Sequence, residues 1–247
     1  MLWFREQVSP GLWVGFTDTR TGNLAFHVGD DPNMVAERRA ALDAELGELA
    51  GAEFPLHLQY MDQVHGSDVA VIDAPAAGAP EGPTADGMVS RSASLAVMVA
   101  DCVPVILVGT AADGNPVLGV AHAGRPGVEK AVIAATVDGL RRAGAVDVTA
   151  WIGPSVCGNC YEVPAAMRDA VAAVEPAAYA TTSWGTPALD LPAAVAAQLT
   201  RLGVAVTNKG RCTLEHPEFF SHRRAVRDGE TEGRFIGFAA LAGHALS

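Results

Sequence analysis

Two spacings of apolar residues divide the chain into strand-like and helix-like stretches. Leu12-Trp-Val-Gly-Phe-Thr17 reads as a strand, and Asp31-Pro32-Asn33 then offers a helix start. The helix predicted from Met34 to Leu49 places Val35, Leu42, Leu46 and Leu49 at helical spacing, with Gly51 as its stop. Strands follow near 56–62 and 68–73, and the Ala/Gly/Pro-rich segment from Ala74 to Pro83 reads as a surface loop. Leu95–Ala100 and Val105–Val108 are consecutive apolar runs, and the turn Asp113-Gly114-Asn115 leads back into Val117–Ala121. Such sequence-local β structure predicts an antiparallel sheet.

From Pro126 to Arg142 the period becomes helical, with Ile133, Val137 and Leu140 on one face. Arg141 and Arg142 sit where cations oppose the helix dipole, and Gly144 ends the helix. Val148–Ile152 predicts a strand, Pro164–Val174 and Pro192–Leu202 alanine-rich helices opened by proline, Val204–Thr207 a short strand and Phe235–Leu241 a closing one. Helices are interspersed with β-rich blocks and do not alternate strictly with strands. This order predicts residues 1–247 to be a single catalytic α+β domain and not a doubly wound parallel sheet.

Three apolar runs end on chemistry-bearing residues: Leu56 through His65-Gly66, Leu95 through Asp101-Cys102, and Val117 through His122-Ala-Gly124. Adjacent strand ends bring such residues together, although His65, Cys102 and His122 lie too far apart in sequence for a local metal finger. Two imidazoles and a thiolate suit zinc, and three protein ligands leave a fourth tetrahedral position for water or substrate, as in catalytic sites. The plainer alternative is a cysteine and two histidines packed at unrelated strand ends. Asp101 stands next to Cys102, close enough to exchange a proton with water or substrate held there.

Composition narrows the ligands. A chain of 247 residues, 49% hydrophobic and 18% charged, can bury a substantial core, and a net charge of −11 lacks the basic footprint of a nucleic-acid binder. Small molecules are the expected partners. No run approaches the ~20 apolar residues of a membrane span. The amino terminus lacks a signal-peptide pattern and four cysteines are too few for a secreted scaffold, so the expected compartment is cytoplasmic.

Other features carry weaker signals. Cys157-Gly-Asn-Cys160 lies between a strand and a helix, the setting of a thioredoxin-like dithiol, but as zinc chemistry it lacks a second Cys pair. Arg223-Arg224 offers a guanidinium for phosphate or carboxylate, or else a solvated face. The glycines form neither Gly-x-Gly-x-x-Gly nor a Walker loop, and Gly153-Pro154-Ser155 is not a nucleophile elbow.

Taken in order, Gln63-Val-His65-Gly66, Ala85-Asp86-Gly87, Ala100-Asp101-Cys102-Val-Pro104, Ala121-His122-Ala-Gly124, Ile152-Gly-Pro154, Cys160-Tyr-Glu-Val163 and Phe219-Phe-Ser-His-Arg-Arg224 resemble one family, as does the upstream His27-Val-Gly-Asp-Asp-Pro32. It is known variously as multicopper polyphenol oxidase, peptidoglycan editing factor and purine nucleoside phosphorylase. The resemblance runs from about Thr17 to Leu241. It implies a single-domain α/β sandwich with largely antiparallel or mixed sheets flanked by helices. It also implies a zinc site on His65, Cys102 and His122, phosphorolysis of adenosine, inosine and 5′-methylthioadenosine, and deamination of adenosine. Purine nucleosides and phosphate are then the partners, with Asp101 and Cys102 catalytic and Arg20, His27, Arg223 and Arg224 as anion or ribose contacts. The chain departs from the family where relatives read His-Ala-Gly-Trp-Arg-Gly and it has His122-Ala-Gly-Arg125-Pro126-Gly127, and where His222 replaces a tyrosine.

Three other functions compete. One is a hydrolase editing peptidoglycan precursors, with Cys102 as nucleophile and His122 as base. Another is copper-dependent phenol oxidation, disfavoured because two histidines and a thiolate make one site. The last is a redox or interaction protein built on Cys157 and Cys160.

Overall fold

The run Phe235–Leu241 is apolar at every position because both of its faces are covered. Phe235, Ala239 and Leu241 enter one core while Ile236, Phe238 and Ala240 enter another. The same division splits Leu95, Val97 and Val99 from Ala96 and Met98. Strands alternate side chains between faces, so an unbroken apolar run marks a strand sandwiched between layers.

The computed structural model describes residues 2–53, 55–73 and 82–242; of the loop expected from Ala74 to Pro83, residues 74–81 lie outside the described residues. Its strands are β1 (Leu2–Ser9), β2 (Leu12–Thr17), β3 (Leu58–Gln59), β4 (Val69–Ile72), β5 (Gly87–Ser90), β6 (Ser94–Val99), β7 (Val103–Thr110), β8 (Pro116–Ala123), β9 (Val146–Ile152), β10 (Tyr179–Thr181), β11 (Pro187–Leu189), β12 (Ala205–Asn208) and β13 (Phe235–Leu241). Its α-helices are α1 (Pro32–Ala50), α2 (Arg125–Glu129), α3 (Val132–Arg142), α4 (Ala165–Val174), α5 (Leu191–Arg201) and α6 (His222–Asp228). A five-stranded sheet has the order β1-β2-β13-β6-β3, a six-stranded sheet the order β12-β9-β7-β8-β5-β4, and β10 and β11 form a small hairpin.

The two large sheets share a core in which Phe16, Leu95 and Val97 meet Met88, Ile106, Val120 and Trp151. Leu42 and Leu46 of α1 cover the outer face of the five-stranded sheet, over Met98, Ile236 and Phe238. Ile133, Val137 and Leu140 of α3, with Val195 and Leu199 of α5, cover the other sheet over Val105, Leu107 and Ile152. The result is the expected α+β sandwich, helix on sheet on sheet on helix. Pairing is mostly antiparallel, with parallel pairs β12–β9, β3–β6 and β4–β5. Among the described residues no helix is long and apolar enough to cross a membrane.

Several elements depart from the sequence pattern. The helix expected from Pro126 to Arg142 is broken at Ala131, which adopts a left-handed φ of 60°, and the Val128 carbonyl beside the break accepts from Gln198 Nε2 at 3.1 Å. The strand expected over 56–62 pairs with β6 only at Leu58 and Gln59, and Asp62 makes an isolated parallel bridge to Thr84. Further along, the Gln63 side chain takes over the ladder, donating to the Met98 carbonyl at 2.8 Å and accepting from the Met98 amide at 2.9 Å. Strand β1 carries no clear alternation because it is a half-exposed edge.

Phe16 seats the two sheets together. It is fully buried, and a Cβ built on Gly153 would lie 2.3 Å from its ring, so that glycine is the space the ring occupies. Phe16→Ala is expected to cost ~3–5 kcal/mol in chemical denaturation, because the sheets cannot close the void.

Candidate metal centre and its pocket

The site is built where strands end. Strand β6 belongs to one sheet and β7 to the other, and Ala100-Asp101-Cys102 makes the crossing in three residues. So tight a reversal holds Asp101 at φ 84° and sets Cys102 at the mouth of β7. His122 lies near the end of β8, in register with Pro104 of β7. His65 comes from the segment after β3, also left-handed at φ 58°. A non-glycine residue in that region costs on the order of 1–3 kcal/mol, so the surroundings must impose it.

What imposes it is Asp86, which is fully buried just before β5. Its carboxylate accepts from the amides of Val64 (3.2 Å), His65 (3.0 Å) and Gly66 (2.5 Å). Three successive N–H groups thus wrap one anion as a nest. Oδ1 of the same carboxylate lies 2.8 Å from His122 Nδ1. That contact fixes a proton on Nδ1 and leaves Nε2 free as a ligand or base.

The Sγ of Cys102 lies 3.7 Å from His65 Nε2, and the three donor atoms of His65, Cys102 and His122 all lie within 4.8 Å of one another. A tetrahedral zinc with ordinary Zn–S and Zn–N bonds places S and N about 3.6 Å apart, so the residues present fit such an ion. Gly124 makes room, since a Cβ there would stand 2.7 Å from His65 Cδ2 and 3.0 Å from Cys102 Sγ.

The centre opens into a cavity of about 410 Å³. Besides the three donors and Asp101, it is lined by His27, Gln63, Tyr161, His222, Arg223 and Arg234. Cationic and imidazole groups outnumber acids on this lining, although the whole chain carries −11.

The family model for multi-copper polyphenol oxidoreductase laccases matches residues 8–242. The chain belongs to this family. A relative in Streptomyces coelicolor named purine nucleoside phosphorylase is 45% identical over 98% of this chain and 100% of its own length. One so named in Mycobacterium tuberculosis is 42% identical over 85% of this chain and 82% of its own. Among solved structures, Bacillus licheniformis YfiH matches with a TM-score of 0.76 at 25% identity, covering 96% of this chain and 98% of that one. Geobacillus stearothermophilus YlmD matches at 0.74 and 29% identity, covering 94% and 92%.

On this laccase-family frame the sequence-predicted residues fall into two groups. His65, Cys102, His122, Asp101, His27 and Arg223 line the cavity. Arg20 does not, because Asp18 takes both its amide (2.9 Å) and its guanidinium (2.5 Å). Arg224 turns the other way, donating to the carbonyls of Thr213 and Phe219, both at 2.7 Å, and to Glu230 at 2.9 Å. Arg125, at the departure from the family pattern, pairs with Glu129 at 2.6 Å. Sequence reasoning gave no role to Asp86, Tyr161, Gln63 or Arg234. Asp86, Tyr161 and Gln63 do lie inside the quoted motifs.

Charges in the site are strongly coupled. Burial raises the Cys102 thiol, but His122 and His65 outweigh it and bring the thiol down to about 6. Burial lowers His122, yet the Cys102 thiolate and the Asp86 carboxylate lift it to about 9. Between these values the metal-free pair is thiolate and imidazolium. Burial and nearby Arg234 lower His27, so this imidazole is neutral at pH 7. Away from the cavity, burial and the neighbouring thiols push Cys157 and Cys160 up, opposite to what a thioredoxin-like nucleophile needs.

In metal-free protein the rate of Cys102 alkylation by iodoacetamide is expected to rise with pH through a midpoint near 6. Asp86→Asn removes the anion that supports the His122 imidazolium. It should move the midpoint towards the ordinary thiol value of about 8.5; an unmoved midpoint would separate Asp86 from the pair.

Proposed function

We propose that the protein is a zinc-dependent purine nucleoside phosphorylase acting on adenosine, inosine and 5′-methylthioadenosine, with adenosine deaminase as a side activity. The observation that carries this reading is the joining of a His65–Cys102–His122 donor set to a cavity rimmed by Arg223 and Arg234. The names of the relatives support the reaction class. His65, Cys102 and His122 would hold the ion, which when bound would supply Lewis acidity beside the cavity. Zinc is preferred over copper because one site of two imidazoles and a thiolate cannot form a multicopper cluster.

In phosphorolysis a phosphate oxygen bonds to C1′ of the ribose as the bond from C1′ to the purine N9 breaks, and the departing base takes up a proton. Arg223 is held for the anion: its Nη1 donates to the Glu162 carbonyl at 2.9 Å and its guanidinium lies 4.8 Å from the centre of the Tyr161 ring. Arg234 stands on the same cavity, and together they focus positive potential in an acidic protein. Neutral His27 can donate to and accept from ribose hydroxyls. A volume of about 410 Å³ suits a nucleoside with phosphate.

Asp101 accepts from Thr213 Oγ1 at 2.6 Å and from the Arg223 amide at 2.8 Å. Each oxygen keeps a second lone pair. Asp101 is assigned to accept the proton of the water that attacks C6 in deamination. The close thiolate–imidazolium pair of Cys102 and His122 favours a second reading, a hydrolase editing peptidoglycan precursors.

Chromatography of adenosine incubated with the enzyme should show adenine and ribose 1-phosphate only when phosphate is present, and Cys102→Ala should abolish both. Base release without phosphate, or none at all, would overturn the phosphorylase reading. Arg223→Ala is expected to raise the phosphate KM ~10–100-fold with a smaller effect on the nucleoside KM, as loss of a hydrogen bond to a charged group does. Asp101→Asn should cut ammonia release ~100-fold or more while phosphorolysis falls less, since only deamination uses its carboxylate as a base.

A further inference from the structure

We propose that Cys157, Cys160, Cys212 and Glu215 form a second zinc site, tetrahedral and structural, behind the wall of the cavity. Their donor atoms all lie within 4.8 Å of one another, and no disulfide joins any of these cysteines. A zinc tetrahedron with sulfur ligands has S–S edges of about 3.8 Å, which the cluster can meet with small side-chain adjustment.

The spacing is that of a pair of zinc knuckles. Cys157-x-x-Cys160 is one, and the second pair that the sequence lacks as cysteines is Cys212-Thr-Leu-Glu215, a Cys and a Glu at the same separation. The first knuckle has the required turn: the amides of Cys160 and Tyr161 both donate to the Cys157 carbonyl, at 3.0 and 2.9 Å. The second knuckle is brought alongside by backbone bonds from Ser155 N to the Arg211 carbonyl (3.0 Å) and from Thr213 N to the Ser155 carbonyl (3.1 Å).

The surroundings call for such a staple. Segments 153–164 and 209–221 contain no α-helix or strand longer than an isolated bridge. Their shared apolar cluster is only Val156, Cys160 and Cys212, with Cys157, Tyr161 and Leu214 packed at its edge. So small a cluster supplies little burial energy, and a four-coordinate ion stabilises an irregular pair of loops directly. A cleft of about 260 Å³ that reaches Cys157 and Cys212 gives an ion a way in. Loading consumes no oxidant: the thiols give up their protons to solvent as their sulfurs bind.

The consequence reaches the cavity. Tyr161 follows Cys160, Thr213 follows Cys212, and Thr213 hydrogen-bonds Asp101. The Val156 amide donates to the Asp101 carbonyl at 3.0 Å. An ion at the knuckles therefore fixes Tyr161 and Asp101 without touching substrate.

The full-length Cys102→Ala protein, which has lost the only thiolate of the first site, is the test material. Purified with zinc under reducing conditions, it is expected to retain one equivalent of zinc and to shield three thiols from Ellman's reagent until a chelator is added. Cobalt-loaded, it should show thiolate-to-cobalt charge-transfer absorption, which Cys160→Ser in the same background should lose. Where Cys160→Ser fails to fold, thiol shielding before and after chelator decides. Three thiols that react at once with no cobalt absorption, or recovery of a disulfide among Cys157, Cys160 and Cys212, would overturn the proposal.

Discussion

One buried carboxylate organises the site. Asp86 stands fully buried just before β5, and an anion there is costly unless several donors surround it. Three come from consecutive amides of residues 64–66 and a fourth from the His122 ring. Burial alone would raise the Asp86 carboxyl; these bonds outweigh it and hold the group ionised. Asp86 thereby does two jobs with one charge, forcing His65 into its left-handed conformation and setting the proton of His122. The two imidazoles end with ring centres 4.7 Å apart, nearly perpendicular, both edges turned to Cys102.

The second constraint is the crossing between sheets. A sandwich whose chain passes from β6 to β7 in three residues must strain one of them, and Asp101 carries that strain. The crossing is stabilised from behind by Thr213, by the amide of Arg223 and by Val156. Positive φ at both His65 and Asp101 places stored backbone strain on the two sides of Cys102. The pattern is usual where geometry is selected for a site at some cost in stability.

Much of this was legible in the chain because the fold covers both faces of its central strands. Continuous apolar runs at Leu95–Ala100, Val105–Val108 and Phe235–Leu241 announce such strands, and the polar residue that breaks each run marks the layer's edge. That is why His65, Cys102 and His122 could be singled out. The partners of those residues were not legible for a different reason. Nothing local separates Asp86, buried with four donors, from an ordinary turn aspartate. Arg223 and Arg224 are indistinguishable as a pair, but neighbours on a helix point about 100° apart, so one enters the cavity and the other ties down the 213–219 loop. Arg20 is withdrawn by a contact only two residues long, with Asp18 capping the turn that carries it. Edge strand β1 and the hairpin β10–β11 escape detection because half-exposed pairing leaves no strong period.

The two sulfur clusters are linked by the loops they would hold. Cys102 sits on the sheet side of the Asp101 crossing, while Cys157, Cys160 and Cys212 sit on the far side, joined to it through Val156 and Thr213. The sheets can preorganise the first cluster, since β7, β8 and the Asp86 nest supply its geometry with or without an ion. They cannot preorganise Tyr161 or Arg223, which lie on irregular chain beyond β9 and at the start of the seven-residue helix α6. Precision on that side of the cavity must come from hydrogen bonds and from whatever binds the three remaining thiols. A site proposed to orient both a nucleoside and an anion would therefore draw one wall from the rigid sandwich and the other from the irregular loops, and substrate selection is expected to reside in the second.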